Sequence, residues 1–470
     1  MLMPVNILKR TFIKYPDIPH FCVILCAILF FSPQQLFSQD GTSKSSGIIR
    51  IYFTNTVDNT ISLYADGIYN PHMEDTIVAY INKAQTTLDM CVYDNRSDAI
   101  ITAVNQAYSR GVTVRFISET TSLNSSLADL NASIALLKRD DGTKVMHNKF
   151  VIIDRDSEAN AWLITGSTNH TPDNLTVDPN NLVIIQDKQL ALAYTTEFEE
   201  MWGSTTATPN LSNSKFGADK TDNTPHSFSI GGKTVELYFS PSDGTSAHIE
   251  TAISTAGSDF CFAMFTFIHN GIGDAVVAAH NSGAVVKGII ENVSYIGSEY
   301  SSLVAAGIPV LSHANIPNSF HHKYGVADAT NQSSDPLVIA GSHNWTNSAE
   351  EDYDENTLII HDGQIAAMYY EEFMTRFNEM SLGTSEIVSE DGLFYFDPVH
   401  RSLILSAKHY CSENLLELFD LKGRKVFEKR ISKIEDHPLE ISLPENMHGL
   451  FIAKISAQRF TGTIKLFLPE

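Results

Sequence analysis

The sequence predicts an α/β protein made of two copies of one α/β sandwich module, related by a pseudo-twofold axis and followed by a small all-β sandwich. Two observations predict the duplicated part. The same order of strand-like and helix-like segments occurs twice between residues 48 and 382, and each copy contains a histidine-lysine strand of nearly the same spelling. After residue 385 the pattern changes to short alternating strands broken by Gly, Pro and Asn, which is typical of a β-sandwich.

The first half of each copy predicts strand, helix, strand, helix, strand. The opening strands are IRIYFTNTVDN and VELYFSPSDGT, and the helices after them are HMEDTIVAYINKA and SAHIETAISTA. The apolar strands TLDMCVYD and DFCFAMFTF come next, followed by DAIITAVNQAYSRGVTVRFISE and GDAVVAAHNSGAVVKGIIEN. A glycine after the helix in each of these last segments is a natural C-cap, so each divides into a helix and a strand.

The second half of each copy contains the histidine-lysine strand, a Gly-Ser strand, a third apolar strand (NLVIIQD or NTLIIHD) and a closing helix. The closing helices place Phe198 with Trp202, and Phe373 with Phe377, four residues apart on one face. We predict that these aromatic pairs pack in the core.

The predicted domains are a signal peptide (1–39), the two modules (48–205 and 233–382), a polar linker or surface excursion (206–232) and the C-terminal β-sandwich (386–470). The signal peptide is indicated by Lys9, Arg10 and Lys14 before the apolar run FCVILCAILFF, with an uncleaved signal anchor as the alternative. No other stretch is long and apolar enough to span a bilayer. Cleavage leaves Cys91, Cys261 and Cys411, too few and too scattered for a disulfide framework, so we predict buried thiols.

The acidic charge is concentrated in the duplicated region. The chain has a formal net charge of −23, and residues 40–385 contain 18 basic and 41 acidic side chains, which accounts for the whole excess. A field of this sign repels polyanions, so it counts against an extended nucleic-acid footprint, although it leaves room for a small basic cleft.

Each copy has the same set of polar residues at nearly the same spacing. The first set is His147, Lys149, Asp154, Gly166, Ser167 and Asn169, and the second is His321, Lys323, Asp328, Gly341, Ser342 and Asn344. Residues two apart in a strand face the same side, so each histidine projects with its lysine. An imidazole beside a fixed cation and a carboxamide can hold a phosphate, and two such half-sites can meet at one phosphorus.

These motifs resemble those of the phospholipase D superfamily, whose mark is a duplicated H-x-K-x(4)-D followed by G-S-x-N. The resemblance covers roughly residues 48 to 380. It implies a phosphodiesterase in which one motif histidine attacks phosphorus, and the other protonates the leaving oxygen before activating water. It also implies that Lys149, Lys323, Asn169 and Asn344 hold the non-bridging oxygens, that Ser167 and Ser342 assist in substrate binding, and that Asp154 and Asp328 are structural. No metal or other cofactor is expected.

The sequence departs from the family pattern behind one histidine. In the family an acidic residue eleven positions after the G-S-x-N asparagine orients a catalytic imidazole. Glu355 has this place in the second copy, but Asn180 has it in the first. In relatives the histidine of the first copy is usually the nucleophile, which would be His147. A nucleophilic imidazole benefits from a carboxylate on its other nitrogen, however, and only the second copy has one at the expected place, which favours His321. We expect His147 to attack, with Asp178 or a residue of the opposite half supplying its carboxylate. Four further histidines (His170, His313, His322 and His343) are expected in loop or surface positions.

The motifs do not show which class of phosphodiester is the substrate. The acidity of the duplicated region favours a phospholipid, with a secreted endonuclease of the same superfamily and a non-catalytic surface protein as alternatives. A monomer is expected, because one chain carries both half-sites. The C-terminal segment resembles the sorting domain of type IX secretion in LFDLKGRKVFEKRI, ISLPENMHGLFIAKI and GTIKLFLPE, with an ordinary carbohydrate- or protein-binding sandwich as the alternative. This resemblance implies an immunoglobulin-like sandwich, the type IX machinery as a partner, and a secreted or cell-surface location.

Overall fold

The computed structural model describes residues 44–45, 47–61, 64–142, 144–314 and 316–384, and in the C-terminal part 394–397, 401–405, 414–420, 422–431, 439–444, 447–457 and 460–468. The predicted signal peptide and Cys411 lie outside these residues. Cys91 and Cys261 are buried free thiols, as expected. No helix within the described ranges is long and apolar enough to cross a membrane.

A two-residue strand, β1 (Lys44–Ser45), precedes the first module. The strands of that module are β2 (Ile48–Phe53), β3 (Thr87–Val92), β4 (Thr113–Glu119), β5 (Ala135–Arg139), β6 (Lys149–Ile153), β7 (Trp162–Gly166) and β8 (Asn181–Gln186). Its helices are α1 (Met73–Ile81), α2 (Asp98–Ser109), α3 (Pro172–Thr176) and α4 (Lys188–Trp202). Each predicted helix and strand of this copy is therefore present.

The second module repeats this order. Its strands are β9 (Ser227–Ile230), β10 (Lys233–Ser240), β11 (Asp259–Met264), β12 (Val285–Ile290), β13 (Val310–Ser312), β14 (Lys323–Ala327), β15 (Leu337–Gly341) and β16 (Glu355–His361). Its helices are α5 (Thr245–Ser254), α6 (Asn270–Asn281), α7 (Tyr300–Ala305), α8 (Asn347–Glu351) and α9 (Gly363–Thr384).

The two modules form mixed sheets with equivalent strand orders. Over the described residues the first sheet runs β2-β8-β7-β6-β3-β4-β5. The second runs β10-β16-β15-β14-β11-β12-β13, with β9 added beside β10 and β1 beside β9. In both, a central parallel pair (β3 with β4, β11 with β12) adjoins the antiparallel histidine-lysine strand. The predicted duplication is thus a duplication of topology.

One continuous core joins the two modules. It contains the inner faces of both sheets together with α4 and α9, while α1 and α2 cover the outer face of the first sheet and α5 and α6 that of the second. The predicted aromatic pairs lie in this shared layer, with ring centroids 5.5 Å apart for Phe198 and Trp202 and for Phe373 and Phe377. The sheets that position the two half-sites are therefore packed against each other.

The segment 206–232 is more ordered than a polar linker. It contains β9, which pairs with β10, and it buries Phe216, Phe228 and Ile230. The Lys220 ammonium is fully buried, pairs with Glu197 and lies 3.2 Å from a carboxylate oxygen of Asp354. Phe228 and Ile230 do alternate as in a strand, but β9 is only four residues long and follows a polar stretch, so the polar composition was misleading here.

The C-terminal part contains two small antiparallel sheets. Their strands are β17 (Phe394–Asp397), β18 (Ser402–Leu405), β19 (Asn414–Asp420), β20 (Lys425–Ile431), β21 (Leu439–Ser442), β22 (Gly449–Ala457) and β23 (Phe460–Leu468). The sheets run β17-β18-β21 and β20-β19-β22-β23 in the described ranges. Leu403 and Ile441 of one sheet share a core with Leu416 and Ile455 of the other, so the predicted sandwich is present.

Candidate active site

Each motif histidine lies two residues before its strand begins, β6 at Lys149 and β14 at Lys323. The carbonyl of the residue between histidine and lysine accepts from the residue that follows β3 or β11, the antiparallel neighbour. Tyr93 N donates to Asn148 O at 2.9 Å, and Phe265 N donates to His322 O at 2.8 Å. Both histidines therefore lie where β3 and β11 end.

The two lysines are held in equivalent ways. Lys149 Nζ donates to the carbonyl of His147 at 2.7 Å, and Lys323 Nζ donates to that of His321 at 2.9 Å. Sequence reasoning missed the aromatic residue beside each pair. The Tyr93 ring lies 4.9 Å from the His147 ring, and the Phe265 ring 5.0 Å from the His321 ring. These rings shield one side of each half-site from water.

The two modules exchange the groups that orient the histidines. His147 Nδ1 lies 2.8 Å from Glu355 Oε1, although Glu355 belongs to the second copy. His321 Nδ1 lies 2.9 Å from Asn180 Oδ1, although Asn180 belongs to the first. An ionised Glu355 must accept, so His147 Nδ1 donates and Nε2 keeps its lone pair.

Of the two sources expected for the carboxylate behind His147, the opposite half is the one found, so Glu355 does not serve the histidine of its own copy. The backbone explains the exchange: His147 N donates to Asp354 O, and His321 N donates to Pro179 O, both at 3.0 Å. The residues just before β16 and β8 thus lie against the opposite module. Asp178 does not reach His147; its carboxylate accepts from Ser319 N at 2.8 Å and from the Asn174 amide at 2.6 Å.

The Asn180 amide has a fixed orientation. Its Nδ2 donates to the carbonyl oxygens of Asn174 at 3.3 Å and Asp178 at 3.2 Å, so its Oδ1 must face His321. Ser167 Oγ donates to the same Oδ1 at 3.0 Å. His321 Nδ1 therefore donates, as His147 Nδ1 does, but it donates to a neutral group.

The motif serines are fully buried and contact the residues that orient the histidines. Ser167 Oγ accepts from Asn181 N at 3.1 Å, and Ser342 Oγ accepts from Asn356 N at 3.0 Å. The preceding glycines allow this approach, since a Cβ at Gly166 (φ +131°) would lie 2.4 Å from Asn181 O. Gly341 (φ +156°) has the same relation to Asn356 O at 2.1 Å.

Two asparagines that the sequence did not single out connect the modules. Asn181 Nδ2 donates to Ser167 Oγ at 3.2 Å and lies 3.3 Å from His322 Nδ1 of the other copy. Asn356 Nδ2 donates to Ser342 Oγ at 3.2 Å and to Asn148 Oδ1, again across the modules, at 2.7 Å. Each asparagine therefore links its own serine to the middle residue of the opposite H-x-K motif.

The motif asparagines Asn169 and Asn344 have free hydrogen-bonding capacity. Among the described residues, Oδ1 of each is buried without a partner. An amide can present either its oxygen or its nitrogen after a half-turn, so both side chains can donate to a phosphate oxygen.

The charges of the two half-sites act on one another. Burial lowers the pKa of His147 well below its usual range, and Lys149 and Lys323 lower it further. Burial also lowers the pKa of His321, and Lys323, Lys149 and His147 add to this effect. Burial lowers the pKa of Lys149 to about 7 and raises that of Glu355 to about 7. Burial and the charge of Lys149 also lower the pKa of Lys323 well below its usual range. An anionic ligand in this poorly solvated site would stabilise the charged forms of both lysines, so the site favours an anion.

Asp154 and Asp328 lie at the opposite end of their strands from the histidines and bind backbone. Asp154 Oδ1 accepts from Thr86 N at 2.7 Å, and Asp328 Oδ1 accepts from Ser258 N at 2.7 Å. Each carboxylate thus anchors the turn that leads into β3 or β11, which fits the structural role that the resemblance implies.

The four additional histidines lie outside the helices and strands, as a loop position implies, but the expectation of a surface position was wrong, because all four are buried. His170 and His313 bind Asn95 and Glu291, and His322 Nε2 lies 3.1 Å from Glu372 Oε1. His343 has no hydrogen-bond partner within the described chain, although its Nε2 lies 3.7 Å from Glu350 Oε2. Because histidine is a polar residue type, the sequence did not indicate that these four side chains are buried.

Residues 77–202 and 249–377, which make up more than half of the chain, match the family model described as "Cardiolipin synthase, PLD-like domain". The chain belongs to this PLD-like family. The two matched segments lie within the two modules, so each module is a PLD-like repeat.

Curated relatives match a limited part of the PLD-like chain. It is 33% identical over 121 residues to the mitochondrial cardiolipin hydrolase of Homo sapiens, which covers 25% of this chain and 44% of that protein. It is 29% identical over 138 residues to the Chlamydomonas reinhardtii protein of the same name, covering 28% and 59%. It is 32% identical over 121 residues to the phospholipase D of Rickettsia prowazekii (strain Madrid E), covering 25% and 57%. The match spans less than two thirds of each relative.

Proposed function

We propose that this protein is a phospholipase D-type phosphodiesterase that hydrolyses phospholipid head-group bonds through a phosphohistidine intermediate. One observation carries the proposal: two histidine-lysine pairs, one from each module, act on one another electrostatically, and His147 is backed by Glu355 at 2.8 Å. A nucleophilic imidazole with a carboxylate on its other nitrogen has both the right tautomer and support for the charge that it gains.

In the first step His147 Nε2 forms a bond to phosphorus, and the bond from phosphorus to the head-group oxygen breaks. Protonated His321 gives its Nε2 proton to that oxygen, so the head group leaves as an alcohol. In the second step neutral His321 takes a proton from water. The resulting hydroxide attacks phosphorus, and His147 leaves as the neutral imidazole.

The lysines supply the positive charge of this mechanism. Because burial lowers the pKa of Lys149 to about 7, the free site holds its ammonium only weakly at neutral pH. A phosphate monoanion between Lys149 and Lys323 favours their charged forms. The same anion favours protonation of His321, which the general-acid step requires.

Two observations support a lipid substrate over a nucleic acid. Residues 40–385 contain 41 acidic and 18 basic side chains, which disfavours a long polyanion. The curated relatives that match at 29% to 33% identity are named cardiolipin hydrolase and phospholipase D. We therefore propose phospholipid as the substrate class, with a nuclease activity as the outcome that would replace it.

The test is a side-by-side assay of purified protein on phosphatidylcholine, phosphatidylethanolamine, cardiolipin and single-stranded DNA. We expect phosphatidic acid from the first two lipids, and phosphatidylethanol when ethanol is added, because an alcohol can intercept the covalent intermediate in place of water. Cleavage of DNA with no lipid product would assign the activity to the nuclease class. No turnover by a folded protein would leave the non-catalytic alternative.

The phosphohistidine is tested by quenching a reaction with phosphorus-labelled substrate and mapping the acid-labile adduct. We expect the label on the peptide that contains MHNK, and no label in His147→Ala. Label on the peptide that contains FHHK would exchange the roles of the two histidines.

We also propose that the protein is exported by type IX secretion, as its N-terminal and C-terminal segments suggest. The test is expression in a bacterium that has this pathway, with and without residues 386–470. Full-length protein is expected at the surface or in the medium, and truncated protein in the periplasm. Equal distribution of both forms would refute the proposal.

A further inference from the structure

An exposed apolar loop lies beside the first half-site. Residues 120–124 follow β4, and the Leu123 side chain is 68% exposed. The next residue fastens the loop: Asn124 Nδ2 donates to Tyr93 O at 3.0 Å, and its Oδ1 accepts from Asn95 N at 2.8 Å. Because the Tyr93 ring contacts His147, Leu123 is held close to the entrance of this half-site.

The equivalent loop of the second module has the same character. Residues 292–298 follow β12, with Tyr295 54% exposed and Ile296 fully exposed. Asn292 N donates to Phe265 O at 3.0 Å, and the Phe265 ring contacts His321. The two modules thus carry exposed apolar side chains on corresponding loops, each of which is bonded to the backbone of the aromatic residue beside a histidine.

Neither loop contains a charged residue, although the chain has a net charge of −23. The acidic residues that flank the loops are turned away from solvent: Glu119 accepts from Met146 N at 2.8 Å, Glu291 pairs with His313 at 2.7 Å, and Glu299 is buried. Loops that bind a polyanion would instead present Lys or Arg side chains to solvent. Uncharged loops with exposed Leu, Tyr and Ile match the chemistry of a lipid-water interface.

We propose that residues 120–124 and 292–298 form a docking surface that inserts Leu123, Tyr295 and Ile296 into a neutral phospholipid surface. The inference rests on the proposed lipid substrate and extends it, because it says how a buried site meets a head group. A zwitterionic surface is specified because the acidic modules are repelled by anionic lipid.

The experiment compares wild type with Leu123→Ser, Ile296→Ser and the double variant in flotation with phosphatidylcholine vesicles. The control is Val285→Ser, since Val285 is 61% exposed at the other end of β12 from the loop. The double variant is expected to bind vesicles at least about tenfold more weakly, given the apolar area that each side chain buries. Turnover of vesicle lipid should fall in parallel, while turnover of water-soluble bis(4-nitrophenyl) phosphate and all properties of Val285→Ser stay within twofold of wild type.

Vesicle binding by the double variant at wild-type strength would overturn the docking surface. So would loop variants that lose binding to single-stranded DNA while their vesicle binding is unchanged. His147→Ala separates docking from chemistry, because it should bind vesicles like wild type. If wild type turns over no phosphodiester but its vesicle binding still depends on the loops, the proposed function fails and the docking surface stands.

Discussion

The two half-sites have the same geometry but different chemistry behind the imidazole. In one, the Nδ1 of His147 faces a carboxylate of Glu355; in the other, the Nδ1 of His321 faces the amide oxygen of Asn180. The lysine, serine and neighbouring aromatic ring are placed in the same way in both. The group behind Nδ1 is thus the main difference between two similarly placed histidines, although Tyr93 stands beside one and Phe265 beside the other.

Under the proposed mechanism, this difference assigns different tasks to the two histidines. A carboxylate offsets the positive charge that an imidazole gains when it attacks phosphorus, so Glu355 favours His147 as the nucleophile. An amide orients the ring without holding a proton on it, which suits an imidazole that must give a proton away. The arrangement therefore agrees with the expected nucleophile for a reason that spacing within one copy did not reveal.

The largest effect is expected from removing either histidine. His147→Ala and His321→Ala should each lower kcat at least about 10⁴-fold, because neither half-site can replace the other's role. Steady-state assay on the preferred lipid is the measurement, and His72→Ala is the control, since the His72 side chain is 73% exposed. Substantial activity in one of the two variants would mean that a single half-site suffices.

Removing the charge behind His147 should have the next largest effect. Glu355→Gln keeps the size of the side chain but leaves the developing imidazolium without a counter-charge, so kcat should fall about 10²- to 10³-fold. KM should change much less. If the phosphohistidine still forms at the wild-type rate in a single-turnover experiment, the carboxylate is not needed for attack.

Titration of Lys149 should produce a pH dependence of about one order of magnitude. With a pKa of about 7, Lys149 is protonated below this pH and loses its charge above it. The inhibition constant of dimethyl phosphate, an anion of constant charge, should rise about tenfold between pH 6 and pH 8. Lys149→Met should remove this rise, and a rise that persists without Lys149 belongs to another group. Burial also lowers the pKa of Lys323 well below its usual range, so Lys323→Met is the variant to test in that case.

Making the half-sites alike should change the pH profile more than the rate. In Asn180→Asp a carboxylate faces His321, which should raise the pKa of that imidazole and move the alkaline limb of kcat to higher pH, with kcat altered less than tenfold. In the wild type the Asn180 amide donates to two carbonyl oxygens, and a carboxylate cannot donate to them. The free energy of unfolding should therefore fall by about 1–3 kcal/mol. An unmoved alkaline limb would show that His321 does not set it.

The smallest effect is expected from metal removal. Because the lysines of both halves provide the positive charge, activity should survive excess chelator unchanged. Asp222, His226 and Asp243 bring possible ligand atoms within 4.8 Å of one another. Asp222→Asn with His226→Gln is thus the variant to test if chelation does lower activity.

Local patterns were sufficient for much of the fold. Amphipathic helices such as α2 and α6 and apolar strands such as β3 and β11 were predicted with the right type and order, because their periods differ clearly and glycine ends each helix. The motif residues were found for a similar reason, since two copies at one spacing are hard to produce by chance.

Contacts between the modules could not be predicted in this way. The pairing of Glu355 with His147 joins residues 208 positions apart, and no pattern within one copy shows which copy a side chain faces. His322 and His343 were misjudged because burial between two packed modules leaves no periodic signal along the sequence. Tyr93 and Phe265 each follow an apolar strand and look like its continuation, so only the structure shows them beside the imidazoles.

The exchange of Glu355 and Asn180 between modules has a consequence for how such a site can diversify. If the same site were made by two identical single-module chains, any residue placed behind one histidine would also stand behind the other. Joining the modules in one polypeptide removes this constraint. Under the proposed mechanism, a difference at position 180 alone makes the proton donor and the nucleophile unequal while both motifs stay the same, so joining the two copies in one chain allows the two histidines to take different roles.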